Sequence, residues 1–193
     1  MRVIAGSAKG TRLRSPRDRG ARPTLDRVRE ALFSILGARV EDARVLDLFA
    51  GTGAIGIEAL SRGAARCEFV EKDRERKALI LENLNAAKVR DRASVRASVL
   101  PEGLSTLARD GSRFDIIYAD PPFDFGRYAV LCAEIDRLNL LNPEGILIVE
   151  HDSKTALGDR TDRLIRVREA RYGRTTLSFF ASEMRQAESD IGK

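Results

Sequence analysis

Residues 45–56 read V-L-D-L-F-A-G-T-G-A-I-G, an apolar run and three glycines, and the helical pattern Ile55, Ile57, Ala59, Leu60 then runs to a stop at Gly63. The order is strand, glycine loop, helix. Glycines are required where the backbone turns sharply and approaches a ligand closely, and the helix beyond them presents unpaired N–H groups at its first turn. A ligand is therefore expected on Gly51 and Gly53. The same residues match the dinucleotide fingerprint Gly51-x-Gly53-x-x-Gly56, with Glu71 placed at the end of the next strand as a ribose-binding acid would be. Asp47, inside the strand, separates two nucleotide readings. A carboxylate is a poor neighbour for a pyrophosphate and a good one for a cationic amino acid.

Strands and helices alternate through the rest of the chain, which argues for an α/β fold with a parallel sheet and helices on both faces. Strands are expected near 44–49, 66–71, 94–98, 114–119 and 145–150, with helices near 54–62, 74–87, 101–109 and 127–138 between them. A short hairpin through Val3 to Leu13 and a helix from about Thr24 to Leu36 come first. Val28, Leu32, Ile35 and Leu36 form the apolar stripe of that helix, and Gly37 ends it. Two further strands, near 162–168 and 175–180, finish the sheet, and the polar residues 182–193 are expected to fray. At 193 residues, with 43% hydrophobic and 33% charged side chains, the chain suits one globular domain. No apolar stretch approaches the roughly 18 residues of a membrane span, and Met1-Arg2-Val3-Ile4 lacks a signal peptide's pattern. The expectation is a cytoplasmic protein without a membrane partner. Cys67 and Cys132 fall in apolar segments without paired spacing and read as reduced core residues.

Asp120-Pro121-Pro122-Phe123 follows the apolar run Phe114 to Tyr118. Open α/β sheets bind ligands at the carboxyl ends of their strands, and two prolines fix φ while removing two N–H donors. Backbone carbonyls there are held as acceptors beside a carboxylate and an aromatic face, a set that suits chemistry on a planar amine. Pro and Asp are also ordinary turn residues, so a tight strand-to-loop turn with an exposed Phe accounts for the same four residues.

The charge is lopsided. Residues 1–29 hold nine of the 34 Lys and Arg against two of the 29 acids, a net of +7, whereas the remainder carries 25 basic and 27 acidic groups. An Arg-rich segment interleaved with Gly6, Gly10 and Gly20 can follow a phosphate backbone, Arg12, Arg14, Arg17, Arg19, Arg22 and Arg27 being the candidates. A solvated basic arm is the other reading. Thr24 and Arg27 are equally explained by a helix cap and a surface charge, and Tyr172-Gly173 reads either as a substrate contact or as a terminal β-turn. His151 reads as structural.

D-L-F-A-G-T-G, V-E-K-D around Glu71 and D-P-P-F together resemble the class I S-adenosylmethionine-dependent methyltransferases that act on exocyclic nucleobase amines. The opening R-V-I-A-G-S-A-K-G-T-R-L, followed by R-P-T-L-D-R-V-R-E-A-L-F-S-I-L, narrows this to a resemblance with the bacterial RsmD family, running from Arg2 to about Phe180. The family more often has Tyr at the position of Phe123 and Thr at that of Leu25; Phe keeps a stacking ring, so activity is expected to survive. The resemblance implies a Rossmann-like fold with a seven-stranded, mostly parallel sheet whose last strand inserts antiparallel. It implies a basic extension over 1–40, a catalytic domain over 41–181 and a flexible tail over 182–193. The cofactor implied is S-adenosyl-L-methionine. Asp47, Phe49, Gly51 and Gly53 would hold its methionine end, Glu71 its ribose, and Lys72, Ser98 and Val99 its adenine. Asp120, Pro121, Pro122 and Phe123 would hold and activate the target. The implied activity is methylation of guanine N2 in 16S ribosomal RNA, on naked RNA or a partly assembled small subunit, by a monomer that needs no metal. Alternatives are another nucleobase amine such as adenine N6, a nicotinamide-dependent dehydrogenase on the same glycine loop, or a non-catalytic RNA-binding protein.

Overall fold

The computed structural model describes residues 1–15, 23–122 and 124–183, and these divide into two compact units with the boundary between Ser98 and Val99. Residues expected to form a separate extension over 1–40 belong to the first unit wherever they are described. The first unit holds three strands and the second four.

In the first unit a looped segment, residues 1–13, precedes α1 (Pro23–Leu36). The loop closes through one antiparallel bridge, Arg2 with Arg12, and through Val3 N–H to the Thr11 carbonyl at 3.0 Å. It is a hairpin by connectivity without two true strands. Pro23 opens α1 one residue before Thr24, a position where a missing N–H costs nothing. The apolar stripe buries Val28, Leu32, Phe33 and Leu36, while Ile35 is only half-buried. A single 3-10 turn, Gly37–Val40, follows the stop.

Strands β1 (Arg44–Leu48), β2 (Arg66–Val70) and β3 (Ala93–Arg96) pair in parallel with β2 in the middle. α2 (Ala54–Ser61) joins β1 to β2, and α3 (Arg74–Ala86) joins β2 to β3. Asp73 caps α3, its carboxylate accepting from Arg76 N–H at 2.9 Å, and Glu75 in the first turn favours the positive end of the helix dipole. Leu46, Leu48, Ile57, Phe69, Ile80 and Leu84 are fully buried in this core. Gly56 lets α2 lie directly on β2, because a Cβ there would stand 2.3 Å from Phe69 Cε1 and 2.5 Å from Cys67 Sγ.

In the second unit, β4 (Phe114–Ala119) runs parallel to β5 (Leu141–Asp152). β7 (Thr175–Ser182) lies antiparallel between β5 and β6 (Leu164–Tyr172), as the resemblance implies. β5 begins four residues earlier than expected; Pro143 sits in an irregular register between Phe114/Leu141 and Ile116/Ile146, so the strand tolerates it at a bulge. α4 (Leu104–Arg109) starts later than expected because Pro101-Glu102-Gly103 form a turn, with Gly103 N–H donating to the Val99 carbonyl at 2.8 Å. α5 (Tyr128–Arg137) links β4 to β5. Tyr172 and Thr175 pair across a two-residue connection, so Tyr172-Gly173 is a hairpin turn here. Both cysteines are free and buried, Cys67 in β2 and Cys132 in α5. No helix among the described residues is long and apolar enough to cross a membrane.

Candidate active site

The glycine loop after β1 is held in an unusual conformation at three alternate positions. Phe49 has φ +59°, Gly51 +56° and Gly53 +76°, and Gly53 is the residue from which α2 starts. Such values cost a phenylalanine of order 1–3 kcal/mol and persist only where surrounding bonds enforce them. The enforcing bonds are on both sides of the loop. Glu71, just beyond β2, accepts from Gly51 N–H at 2.9 Å through one carboxylate oxygen and from Asp73 N–H at 3.0 Å through the other. Each of these oxygens keeps a further lone pair, so the buried carboxylate can still accept from a pair of vicinal hydroxyls. A Cβ at Gly51 would touch nothing closer than 3.8 Å, which leaves open space on the side of the loop where a ligand would lie.

Asp47 is 2% exposed and turns toward the helix start, its Oδ2 accepting from Gly56 N–H at 2.9 Å. Burial pushes its carboxyl up to about 8, the Gly56 N–H opposes this, and Glu71 nearby adds to it. Asp47 is thus a brace of the loop from inside. The linkage has a definite sign: between about pH 4 and pH 8 the folded chain holds a proton here that the unfolded chain has lost, so Asp47 removes stability as pH rises through that window. Asp47→Asn keeps an oxygen for Gly56 and removes the titration. At pH 9 the variant should unfold about 5–10 °C higher than the parent, with the gap closing toward pH 4. Parallel melting curves across the range would refute the assignment.

The remaining expected cofactor residues lie just beyond β2 and β3. Lys72 is exposed after β2, Ser98 is half-buried two residues beyond the end of β3, and Val99 is 61% exposed. Ser98 and Val99 fall on either side of the boundary between the units.

In the second unit Asp120 stands exposed immediately after β4, Pro121 is buried, and Pro122 is exposed with its carbonyl accepting from Phe125 N–H at 2.9 Å. Phe123 lies outside the described residues. Tyr128, at the start of α5, packs edge-on to Phe125 with ring centroids 5.6 Å apart and faces the His151 ring at 6.3 Å. Burial raises its phenol, and the negative charges of Asp120, Asp152 and Glu150 raise it further. Beneath, Tyr118 donates to the Glu150 carboxylate, whose own pKa is raised by burial and held back by that bond. His151 is saturated: Nε2 meets Ser178 Oγ at 2.9 Å and Nδ1 the Asp152 carbonyl at 3.0 Å, which fits the structural reading. Periodicity did not disclose Tyr128 or the Tyr118–Glu150 pair, since aromatic residues at strand and helix ends read as core.

Of the expected RNA-contacting arginines, Arg17, Arg19 and Arg22 lie outside the described residues. Arg12 and Arg27 are exposed. Arg14 is exposed and paired with Glu82 at 2.7 Å. Arg29 has another use: it is 3% exposed, donates to the Arg2 carbonyl at 2.6 Å and to Asp26 at 3.1 Å, and lies 3.9 Å from Glu58. Glu58, with no exposed surface, accepts from Ile4 N–H at 2.8 Å, Ala5 N–H at 3.0 Å and Arg62 Nε at 2.8 Å. Ser61 completes the docking, its Oγ accepting from Ala8 N–H at 2.9 Å and its carbonyl from Ser7 N–H at 2.7 Å. Gly6 sits so near that a Cβ would come within 1.8 Å of the Ser61 carbonyl oxygen. An acid in α2 whose other residues, apart from the terminal Ser61, are apolar or glycine was the available signal for this anchor.

Residues 1–181 match the family model described as conserved hypothetical protein 95. Ribosomal RNA small subunit methyltransferase D of Escherichia coli K12 is 34% identical over 190 residues, covering 98% of this chain and 93% of that protein. The same-named protein of Haemophilus influenzae is 34% identical over 160 residues, 81% of each chain. Among solved structures, yhhF from Escherichia coli superposes with a TM-score of 0.82 at 34% identity, covering 95% of this chain and 98% of that one. The fold is accordingly the Rossmann-like one of class I methyltransferases, and the chain belongs to the RsmD family.

Proposed function

We propose that the protein transfers a methyl group from S-adenosyl-L-methionine to the exocyclic N2 amine of a guanine in small-subunit ribosomal RNA. The relationship to ribosomal RNA small subunit methyltransferase D over nearly the whole chain supports this reading most. The donor set of the first unit fits the cofactor: a buried carboxylate with spare lone pairs suits the ribose hydroxyls, and a glycine loop open on one side suits the methionine portion. When bound, the cofactor supplies an electrophilic sulfonium methyl.

The protein's own residues then act on the amine. Its lone pair is delocalised into the guanine ring and must be localised and aimed before it attacks. Asp120 and the Pro121 carbonyl each accept one N–H, which favours a pyramidal nitrogen, and positioning with electrostatics supplies most of the rate. The nitrogen turns acidic once alkylated and releases its proton late, so Asp120 need not be a strong base. Phe123 stacks on the base, worth roughly 1–3 kcal/mol, and the target nucleotide is unstacked to reach it. Arg12, Arg14, Arg17, Arg19, Arg22 and Arg27 contact the phosphate backbone. The substrate is ribosomal RNA, naked or in a partly assembled small subunit; the enzyme is a cytoplasmic monomer.

Methyl transfer to small-subunit RNA from a strain lacking the protein, followed by mass analysis of nucleosides, tests the reading. N2-methylguanosine is the expected product. Another methylated nucleoside would overturn the choice of base, and no incorporation into either naked RNA or small-subunit particles from that strain would overturn the enzyme.

A further inference from the structure

Asn83 belongs to none of the groups assigned above, yet it is 1% exposed in the middle of α3 and every polar atom of its side chain is committed. Its Oδ1 accepts from Arg14 N–H at 2.7 Å. Its Nδ2 donates to the Arg14 carbonyl at 3.0 Å and to the Thr52 carbonyl at 2.9 Å. One carboxamide therefore grips the backbone of Arg14 on both sides, as a β partner would, and with its remaining N–H holds the residue between Gly51 and Gly53. A helix-interior Asn is otherwise a mild liability, because its side chain competes with the backbone for hydrogen bonds. Here it is spent on two segments 38 residues apart in sequence, the basic arm at residue 14 and the glycine loop at residue 52.

The two ends of the arm are fixed differently. Residues 4–8 are clamped to α2 by Glu58 and Ser61, which contact no residue of the loop through the bonds named above. Arg14 stands at the far end, next in sequence to the arginine-rich stretch, and both its backbone N–H and its carbonyl are bonded by the Asn83 carboxamide. From the Arg14 backbone the Asn83 carboxamide leads directly to the Thr52 carbonyl.

We propose that Asn83 is a positioning residue that couples the basic arm to the glycine loop, so that RNA held by the arm and methyl donor held by the loop strengthen each other's binding. This rests on the methyltransferase reading given above. RNA on the exposed Arg12 and Arg14 side chains steadies the Arg14 backbone, that backbone fixes the carboxamide, and the carboxamide fixes the Thr52 carbonyl and with it the φ > 0 loop. By reciprocity the donor must tighten RNA binding by the same factor.

The test uses the full chain, S-adenosylhomocysteine as the donor analogue and a 16S RNA transcript, with calorimetry and amide hydrogen exchange as readouts. In the parent, RNA should tighten S-adenosylhomocysteine at least fivefold, the lower end of ordinary coupling, and S-adenosylhomocysteine alone should slow exchange at residues 11–15 as well as 49–56. In Asn83→Ala the affinity ratio should fall to about one, and protection should stop at the loop. Ser61→Ala is the control for a merely loosened arm. It should speed exchange over residues 4–9 and leave both the ratio and the spread of protection intact. Equal loss of coupling in Ser61→Ala and Asn83→Ala would overturn the assignment to Asn83, as would an unchanged ratio in Asn83→Ala. A parent that binds the analogue with no RNA effect would overturn the coupling and leave the activity standing. A parent that does not bind the analogue would overturn the activity and this inference with it.

Discussion

Replacing Asp120 by Ala should lower methyl transfer by about 10²–10⁴-fold while S-adenosylhomocysteine affinity stays within about tenfold. The split follows from where the carboxylate sits. Asp120 is exposed at the carboxyl end of β4 and belongs to the second unit, whereas the carboxylate and glycine loop assigned to the cofactor, Glu71 and residues 49–53, belong to the first. Losing an acceptor for the amine removes the geometry that aims its lone pair and leaves Glu71, proposed for the ribose, untouched. Asp120→Asn keeps an amide oxygen that can accept from the amine and should recover most of the transfer. Single-turnover rates with saturating cofactor separate the effect from binding; a rate within threefold of the parent in Asp120→Ala would remove Asp120 from the chemistry. The phenol of Tyr128 gives a second handle, because Asp120 is one of the charges that raise it. Asp120→Ala should therefore lower the pH at which Tyr128 ionises.

The largest stability effect should come from Glu58→Ala, with a fall in melting temperature of about 10–15 °C. Glu58 satisfies two backbone N–H groups of the docked segment and faces the buried guanidinium of Arg29. Burial lowers the Arg29 pKa and Glu58 is the first charge opposing that shift. Stranding a buried charge costs about 3–5 kcal/mol, and for a chain of this length each kcal/mol is worth about 2–4 °C. The exposed pair Arg14–Glu82 is the contrast: breaking it should cost under about 1 kcal/mol. Glu58→Leu combined with Arg29→Met should recover only part of the loss, since the amides of Ile4 and Ala5 stay unpaired. Full recovery would show that the ion pair, and not the docking of the segment, is what Glu58 supplies. A fall of less than about 3 °C in Glu58→Ala would mean that the segment is held by other contacts.

Both predictions turn on parts of the sequence of unequal legibility. The strand, glycine loop and helix over 45–61 were readable to within a residue, because period, glycine spacing and helix stop all point the same way. β5 was not, since Pro143 hides a strand start that only a bulge permits. The placements of Glu71 and Asp120 at strand ends were legible, as open sheets put ligands there. Asp47 was legible as a carboxylate in the right strand, but the direction of its side chain toward Gly56 depends on packing that no spacing encodes. The basic run was legible as charge and misleading as a unit. Arg29 lies at its end and is a core residue, and Arg2 contributes its carbonyl to hold it. Asn83 left no trace in the pattern, because one of two asparagines in a polar helix looks like any solvated side chain until its partners 69 and 31 residues away are known.

The contact beneath Gly56 sets a limit on how the molecule can respond to what it binds. With no room for even a methyl group between α2 and the Phe69 and Cys67 side chains, the helix has no second seat on β2 into which it could slide. The glycine loop therefore leads into a helix with a single seat on β2, and Gly56 sets where that seat lies.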